Sequence, residues 1–223
     1  MTIFAPLTGA VHGARLRRFA RWLVAGVLPL MCAAVPLWAI AGTASSLQVV
    51  QDATRRIQTA IKENKADIDR DEGRLFSLIS DIVLPHFDFQ RMSMWTLGPY
   101  WRSATPEQRE RFVAQFRQLL VRTYGHTLID YRDAKISYDP LLAPADARQV
   151  YVRCKVELPG RNPVQLAYGM YRTRDGWKVY DVLVEGISLV TNYRSSFAEI
   201  IQRQGMDGLI RRLADKNQAF GHD

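Results

Sequence analysis

Only two of the 223 residues are cysteine, Cys32 and Cys154, and only four are histidine. These scarce sulfur and imidazole groups are too scattered for a structural metal site, and neither HExxH nor CxxC spacing occurs. GxSxG, GxxxxGK[ST] and GxGxxG are also missing. Their absence removes the usual handles of a serine hydrolase, a nucleotide-driven machine and a dinucleotide enzyme. There is no internal repeat, low-complexity tract or linker, and the length suits one domain. No acidic residue occurs in the first forty-one positions, where Arg15, Arg17, Arg18 and Arg21 precede an apolar run over 22–40.

Small residues follow that run at Ala39 and Ala41, the pattern of a secretory signal peptide cleaved near Ala41. A membrane anchor is the alternative for a run of this length, but Pro29 and Pro36 interrupt it. Met31 ahead of Cys32 argues against lipidation. Removing residues 1–41 takes away four arginines and no acid, so the net charge of +8 falls to +4. That surplus is too weak and too dispersed for nucleic acid, and suits an anionic membrane surface or an acidic partner face. Cys154 is then the one remaining thiol, so no internal disulfide can form and stability must come from packing.

Residues 42–223 read as a single α+β domain. A first amphipathic helix is predicted from Leu47, Val50, Thr54, Ile57 and Ile61, a second from Leu75 to Val83, and a third from Phe87 to Leu97 with Asp88 as its cap. Thr105-Pro106-Glu107-Gln108 is a capping box. It opens a long helix carrying Phe112, Phe116, Leu119, Leu120, Tyr124, Leu128 and Tyr131, expected to run to Tyr131 over about 39 Å at ~1.5 Å per residue, with Gly125 as a possible bend. The period then changes to two. Strands are expected over 134–138, 148–158, 164–171 and 177–184, the last three forming an antiparallel meander. Tyr180, Val182 and Val184 fall on one face of the last strand and Trp177, Val179 and Leu183 on the other, so its register is open. Gly186 breaks this strand, and two short helices follow, separated at Gly205. The tail over 218–223 is expected to fray.

Candidate reactive groups are few. Cys154 lies mid-strand between Val152 and Val156 and reads as a small buried hydrophobe. His86 and Asp88 could form an acid–base pair in a cavity mouth, but a helix cap and a loop histidine already account for both. Arg172 and Arg194 could be phosphate contacts, partner contacts or paired charges.

Two blocks, LGPYWRSATPEQRERF at 97–112 and WKVYDVLVEGISLVTNYRSSFAEIIQRQGMDGLIRRL at 177–213, resemble in order and spacing the MlaC family of periplasmic phospholipid carriers. The resemblance runs from about Leu75 to Asn217. It implies a curved antiparallel sheet of about four strands wrapped by helices, a cystatin- or NTF2-like cone with an apolar cavity and no catalytic, cofactor or metal site. Such a protein would shuttle phospholipid between the outer and inner membranes and maintain outer-membrane lipid asymmetry. The implied partners are phospholipid, an inner-membrane ABC transporter with an MCE-domain subunit, and an outer-membrane lipoprotein associated with porin. Pocket roles are carried over to Phe116, Leu120 and Tyr124 of the long helix and to Val152, Val156, Leu166, Tyr168, Met170, Val182 and Val184 of the sheet. Trp95, Trp101 and Trp177 would fix the shell. A hopanoid or other terpenoid cargo, a periplasmic adaptor with a filled core and an enzyme using His86 and Asp88 are the alternatives.

Overall fold

Reciprocal capping decides where the chain first becomes helical. In the computed structural model, which describes residues 45–144 and 146–219, Ser45 and Gln48 exchange backbone and side-chain hydrogen bonds and so start α1 (Ser46–Glu63). The expected signal peptide and the last four residues of the tail lie outside the described residues, while Gln218 and Ala219 close a helix. After α1 come α2 (Lys65–Arg70), α3 (Gly73–Ile82) and a 3-10 turn over Leu84–His86. Asp88 then caps α4 (Phe89–Leu97) by accepting from the Arg91 amide at 2.8 Å, as predicted. A short α5 (Tyr100–Ser103) leads to the expected Thr105–Gln108 capping box at the start of α6 (Pro106–Tyr124).

The long helix stops at Tyr124, not at Tyr131. Gly125 still donates its amide to the Val121 carbonyl at 2.7 Å, but a Cβ on Gly125 would lie 3.0 Å from Ile79 Cδ1 and 3.3 Å from Phe76 Cε1. The backbone packs closely on α3 at this point, and the chain turns away through α7 (Thr127–Asp130) and a 3-10 turn at Tyr131–Asp133. Gln58 of α1 holds this turn by donating to the Tyr131 and Ala134 carbonyls.

Five strands, one more than expected, form an antiparallel sheet in chain order: β1 (Lys135–Tyr138), β2 (Gln149–Glu157), β3 (Val164–Thr173), β4 (Gly176–Val184) and β5 (Ile187–Ser188). The addition is a two-residue edge strand made by a tight turn, in which Glu185 and Gly186 both take positive φ. Between β3 and β4 the register shifts: Gly169 pairs with Asp181 but Met170 pairs with Val179, leaving Tyr180 as an extra residue. This β-bulge reverses the facing of every residue beyond it. Val179 therefore shares a side with Val182 and Val184 instead of opposing them, which corrects the simple alternation read from sequence.

Asp181 ties the sheet to the last helix, α8 (Leu189–Ala219). Its buried carboxylate accepts from the Val182 and Val190 amides and from the Ser188 hydroxyl at 2.6 Å. Gly205, at φ 72° and ψ 178°, breaks α8 into the two helices predicted. One packed cluster joins α4, α6 and α8 around Phe112, Phe116, Phe197 and Leu209. A second joins α1, α2 and α3, and a third sets Val50 of α1 against Val150, Val152, Met170 and Val179 of the sheet.

A candidate lipid cavity between helices and sheet

The clusters do not close the middle of the molecule. Between α1, the C-terminal turns of α3 and α6 and one face of the sheet lies a cavity of about 470 Å³, within the ~300–1,000 Å³ typical of ligand sites. The stripe of α1 contributes Val50, Ala53, Thr54, Ile57, Gln58 and Ile61. The sheet contributes Ile136, Cys154, Val156, Val164, Leu166, Tyr168, Val179, Val182 and Val184. Strand alternation aims the even-numbered side chains of β2 and β3 inward. The bulge adds Val179 to that set. Leu120, Val121 and Tyr124 line the cavity from α6, and Thr127, Leu128 and Tyr131 from the turns that replace its expected continuation.

Seven of the ten positions singled out from sequence line this space: Leu120, Tyr124, Val156, Leu166, Tyr168, Val182 and Val184. Phe116, Val152 and Met170 do not. Phe116 lies inside the aromatic cluster of α6 and α8, 5.7 Å from the Phe197 ring centroid and 5.4 Å from that of Tyr193. Val152 and Met170 are fully packed beneath the first half of α1. The differing fates of Val152 and Val156, on one face of one strand, arise because α1 covers only part of the sheet.

Sequence reasoning missed the α1 wall, although its helical stripe was visible, and the lining contributed by Leu84, His86, Phe87, Phe89 and Met92. Phe87 makes a parallel bridge to Val179, and the Asp88 amide donates to the Val179 carbonyl at 2.8 Å. That pairing seats the 84–88 segment beside β4, a contact no local pattern announces.

The walls are electrostatically quiet. Burial, with a smaller effect from Asp139, pushes the Cys154 thiol up to about 11, and burial likewise raises the Tyr168 phenol. Neither ionises near neutrality. The Asp88 carboxylate is engaged by the Arg91 amide and the Tyr171 hydroxyl, and caps α4. Arg194 donates to the Trp95 carbonyl, and the Trp95 ring packs at a tilt against Tyr180 with centroids 5.4 Å apart. Trp101 accepts through its carbonyl from Arg109 at 2.8 Å, and Trp177 packs against the Val50 cluster. Among the described residues no group of three or more His, Cys, Asp or Glu is placed to hold a metal ion.

Known proteins share this architecture. The family model described as MlaC protein matches residues 51–215. The toluene tolerance protein ttg2D of Pseudomonas putida is 33% identical over 205 residues, covering 87% of this chain and 92% of the relative. The intermembrane phospholipid transport system binding protein MlaC of Haemophilus influenzae is 26% identical over 201 residues, covering 89% and 94%. A solved structure of the phospholipid-binding protein from Ralstonia solanacearum, in complex with a phospholipid, is similar with a TM-score of 0.75 and 32% identity, over 80% of this chain and 99% of that one. A match that spans most of the folded chain, at this identity and with this shared architecture, places the protein in the MlaC family.

Proposed function

We propose that this protein is a periplasmic lipid carrier that takes the acyl chains of a phospholipid into the cavity between α1 and the sheet. The observation that carries the reading is the hydrocarbon-walled void itself, lined from both the helices and the sheet. It agrees with the phospholipid held by the related Ralstonia structure. Each buried methylene is worth ~0.8 kcal/mol, so two chains of roughly thirty methylenes cost on the order of 24 kcal/mol to expose to water. Offering those chains an apolar interior removes most of that cost. No bond is made or broken, so the protein acts by binding and not as an enzyme.

In this reading the sheet and helices form a cone open at the rim, and Leu120, Tyr124, Val156, Leu166, Tyr168, Val182 and Val184 contact the chains. Residues 1–41 direct export and are removed, leaving 42–223 as the lipid-binding domain. The carrier exchanges cargo with an inner-membrane ABC transporter that has an MCE-domain subunit and with an outer-membrane lipoprotein associated with porin, and so maintains outer-membrane lipid asymmetry. An adaptor with a filled core would have no use for such a void. Native mass spectrometry of protein purified without detergent should show one bound phospholipid and a chain lacking residues 1 to about 41. A stoichiometric terpenoid would change the cargo, and an empty protein would end the carrier reading.

A further inference from the structure

The side of the sheet turned away from the cavity carries an aromatic patch that the lipid site does not use. Tyr180, set on this side by the bulge, packs between Trp95 of α4 and Tyr171 of β3, with ring centroids 5.4 Å and 6.2 Å away. Gly169 lets the Tyr180 and Tyr151 rings close over the strand, since a Cβ there would stand 3.2 Å from one and 3.3 Å from the other. Arg91, Met94 and Trp95 share one face of α4 by their i, i+3 and i+4 spacing. Met94 and Trp95 are each 39% exposed and Tyr151 is 43% exposed. Beside Tyr151 a recess of about 280 Å³ is lined by Arg153, Ala167, Leu183 and Gly186. The Arg91 guanidinium lies 3.9 Å from the Tyr171 centroid, that of Arg153 lies 5.9 Å from the Tyr151 centroid, and Arg194 is held by the Trp95 carbonyl. None of these three arginines forms an ion pair among the described residues. The nearby acids are engaged elsewhere: Asp88 by the Tyr171 hydroxyl, Asp181 by Ser188 and two amides, and Glu185 by the Gln165 amide.

Tryptophan, tyrosine, methionine and arginine are the side chains enriched at the centres of protein interfaces. A bilayer is entered by protruding apolar side chains. Here they lie flat around a recess, none more than 43% exposed, which fits a side chain of another protein instead. The unpaired arginines set the charge of that protein, because carboxylates on its surface would supply their missing partners. We propose that this outer face of the sheet is where the carrier docks on a membrane-bound partner protein, through an acidic face of that partner bearing an apolar side chain for the recess beside Tyr151. Docking of this kind presupposes the carrier reading, but Met94, Trp95, Tyr151 and Arg153 are no part of the cavity wall, so the two can fail independently.

Affinity is measured by biolayer interferometry against two probes from the same bacterium, the MCE-domain subunit of the inner-membrane transporter and the outer-membrane lipoprotein, each full-length in nanodiscs of neutral phosphatidylcholine. The unaltered protein should bind at least one probe. Arg153→Glu and Met94→Glu should each weaken that binding on the order of tenfold while keeping the parent's melting temperature and its copurifying lipid. Arg211→Glu, the same reversal of charge at an exposed position in the second half of α8, should bind as the parent does. Full affinity of folded Arg153→Glu and Met94→Glu variants for both probes, or an equal loss in Arg211→Glu, overturns the docking face and leaves carriage intact. Failure of the unaltered protein to bind either probe overturns it as well. Weakened binding by the two patch variants, in a protein that carries no lipid in any form, upholds the face and ends carriage. In a parallel arm the same proteins are sedimented with phosphatidylglycerol vesicles. Loss of vesicle binding with probe binding unchanged would make the patch a membrane face and overturn protein docking.

Discussion

Val179 and Val182 line the same cavity although three positions separate them on one strand, because Tyr180 is bulged out between the partners of Gly169 and Met170. The displaced Tyr180 ring packs on the opposite face, 5.4 Å from Trp95, where a Cβ on Gly169 would come within 3.2 Å of it. One extra residue thus enlarges the apolar wall on one side and anchors α4 on the other.

Tryptophan substitutions should distinguish the hollow part of the sheet from the packed part. Leu166→Trp and Val182→Trp place an indole in the cavity and are expected to stay folded and lose copurifying lipid. Val152→Trp, beneath α1 and only 1% exposed, should lower stability by ~1–3 kcal/mol. Thermal melts and lipid extraction on the three variants decide this. Equal destabilisation of all three would mean that Leu166 and Val182 are ordinary core.

Much of this was legible from local chemistry. The Thr105–Gln108 box, the Asp88 cap, the alternation of β2 and β3 and the break at Gly205 are each dictated by residues within a turn or two of one another. What escaped depended on long-range contact. α6 ends at Gly125, where Ile79 and Phe76 lie close against the backbone, the bulge at Tyr180 depends on pairing with β3, and Phe116 faces α8 and not the void. Hydrophobic periodicity tells which face is buried, but a packed neighbour and a hollow space look alike to it.

Asp181 should be the costliest polar residue of the sheet to remove. It is buried and receives the amides of Val182 and Val190 and the Ser188 hydroxyl. Asp181→Ala strands two backbone amides and a hydroxyl and is expected to cost on the order of 1–3 kcal/mol, with Ser188→Ala costing less. Urea denaturation of both variants gives the order, and an Asp181→Ala protein as stable as its parent would refute it.

Gly205→Ala should destabilise through the backbone alone. Nothing lies within 4 Å of where its Cβ would stand, yet φ is +72° and ψ 178°. That conformation is essentially restricted to glycine and costs an L-residue about 1–3 kcal/mol. A variant with an unchanged melting temperature would show that the joint in α8 can relax.

Cys154 should resist alkylation. Raising its pKa from 9.0 to about 11 leaves roughly a hundredth of the thiolate an ordinary cysteine has at pH 8, and the side chain is 2% exposed. Iodoacetamide should label it at the expected rate only after denaturation. Rapid labelling of the native protein would reveal that the cavity wall opens readily.

His86 should make the protein less stable in mild acid. Burial first, then the charges of Lys178 and Arg56, hold its imidazole below the ordinary 6.5. As pH falls through 6.5 the unfolded chain takes up a proton that the folded ring refuses, so stability declines until the folded pKa is reached, and above 6.5 the residue contributes no such loss. His86→Gln should therefore lose less stability than the parent between about pH 7.5 and about pH 5, measured by urea denaturation of lipid-free protein. Identical pH profiles for parent and variant would show that the ring is not held neutral at all.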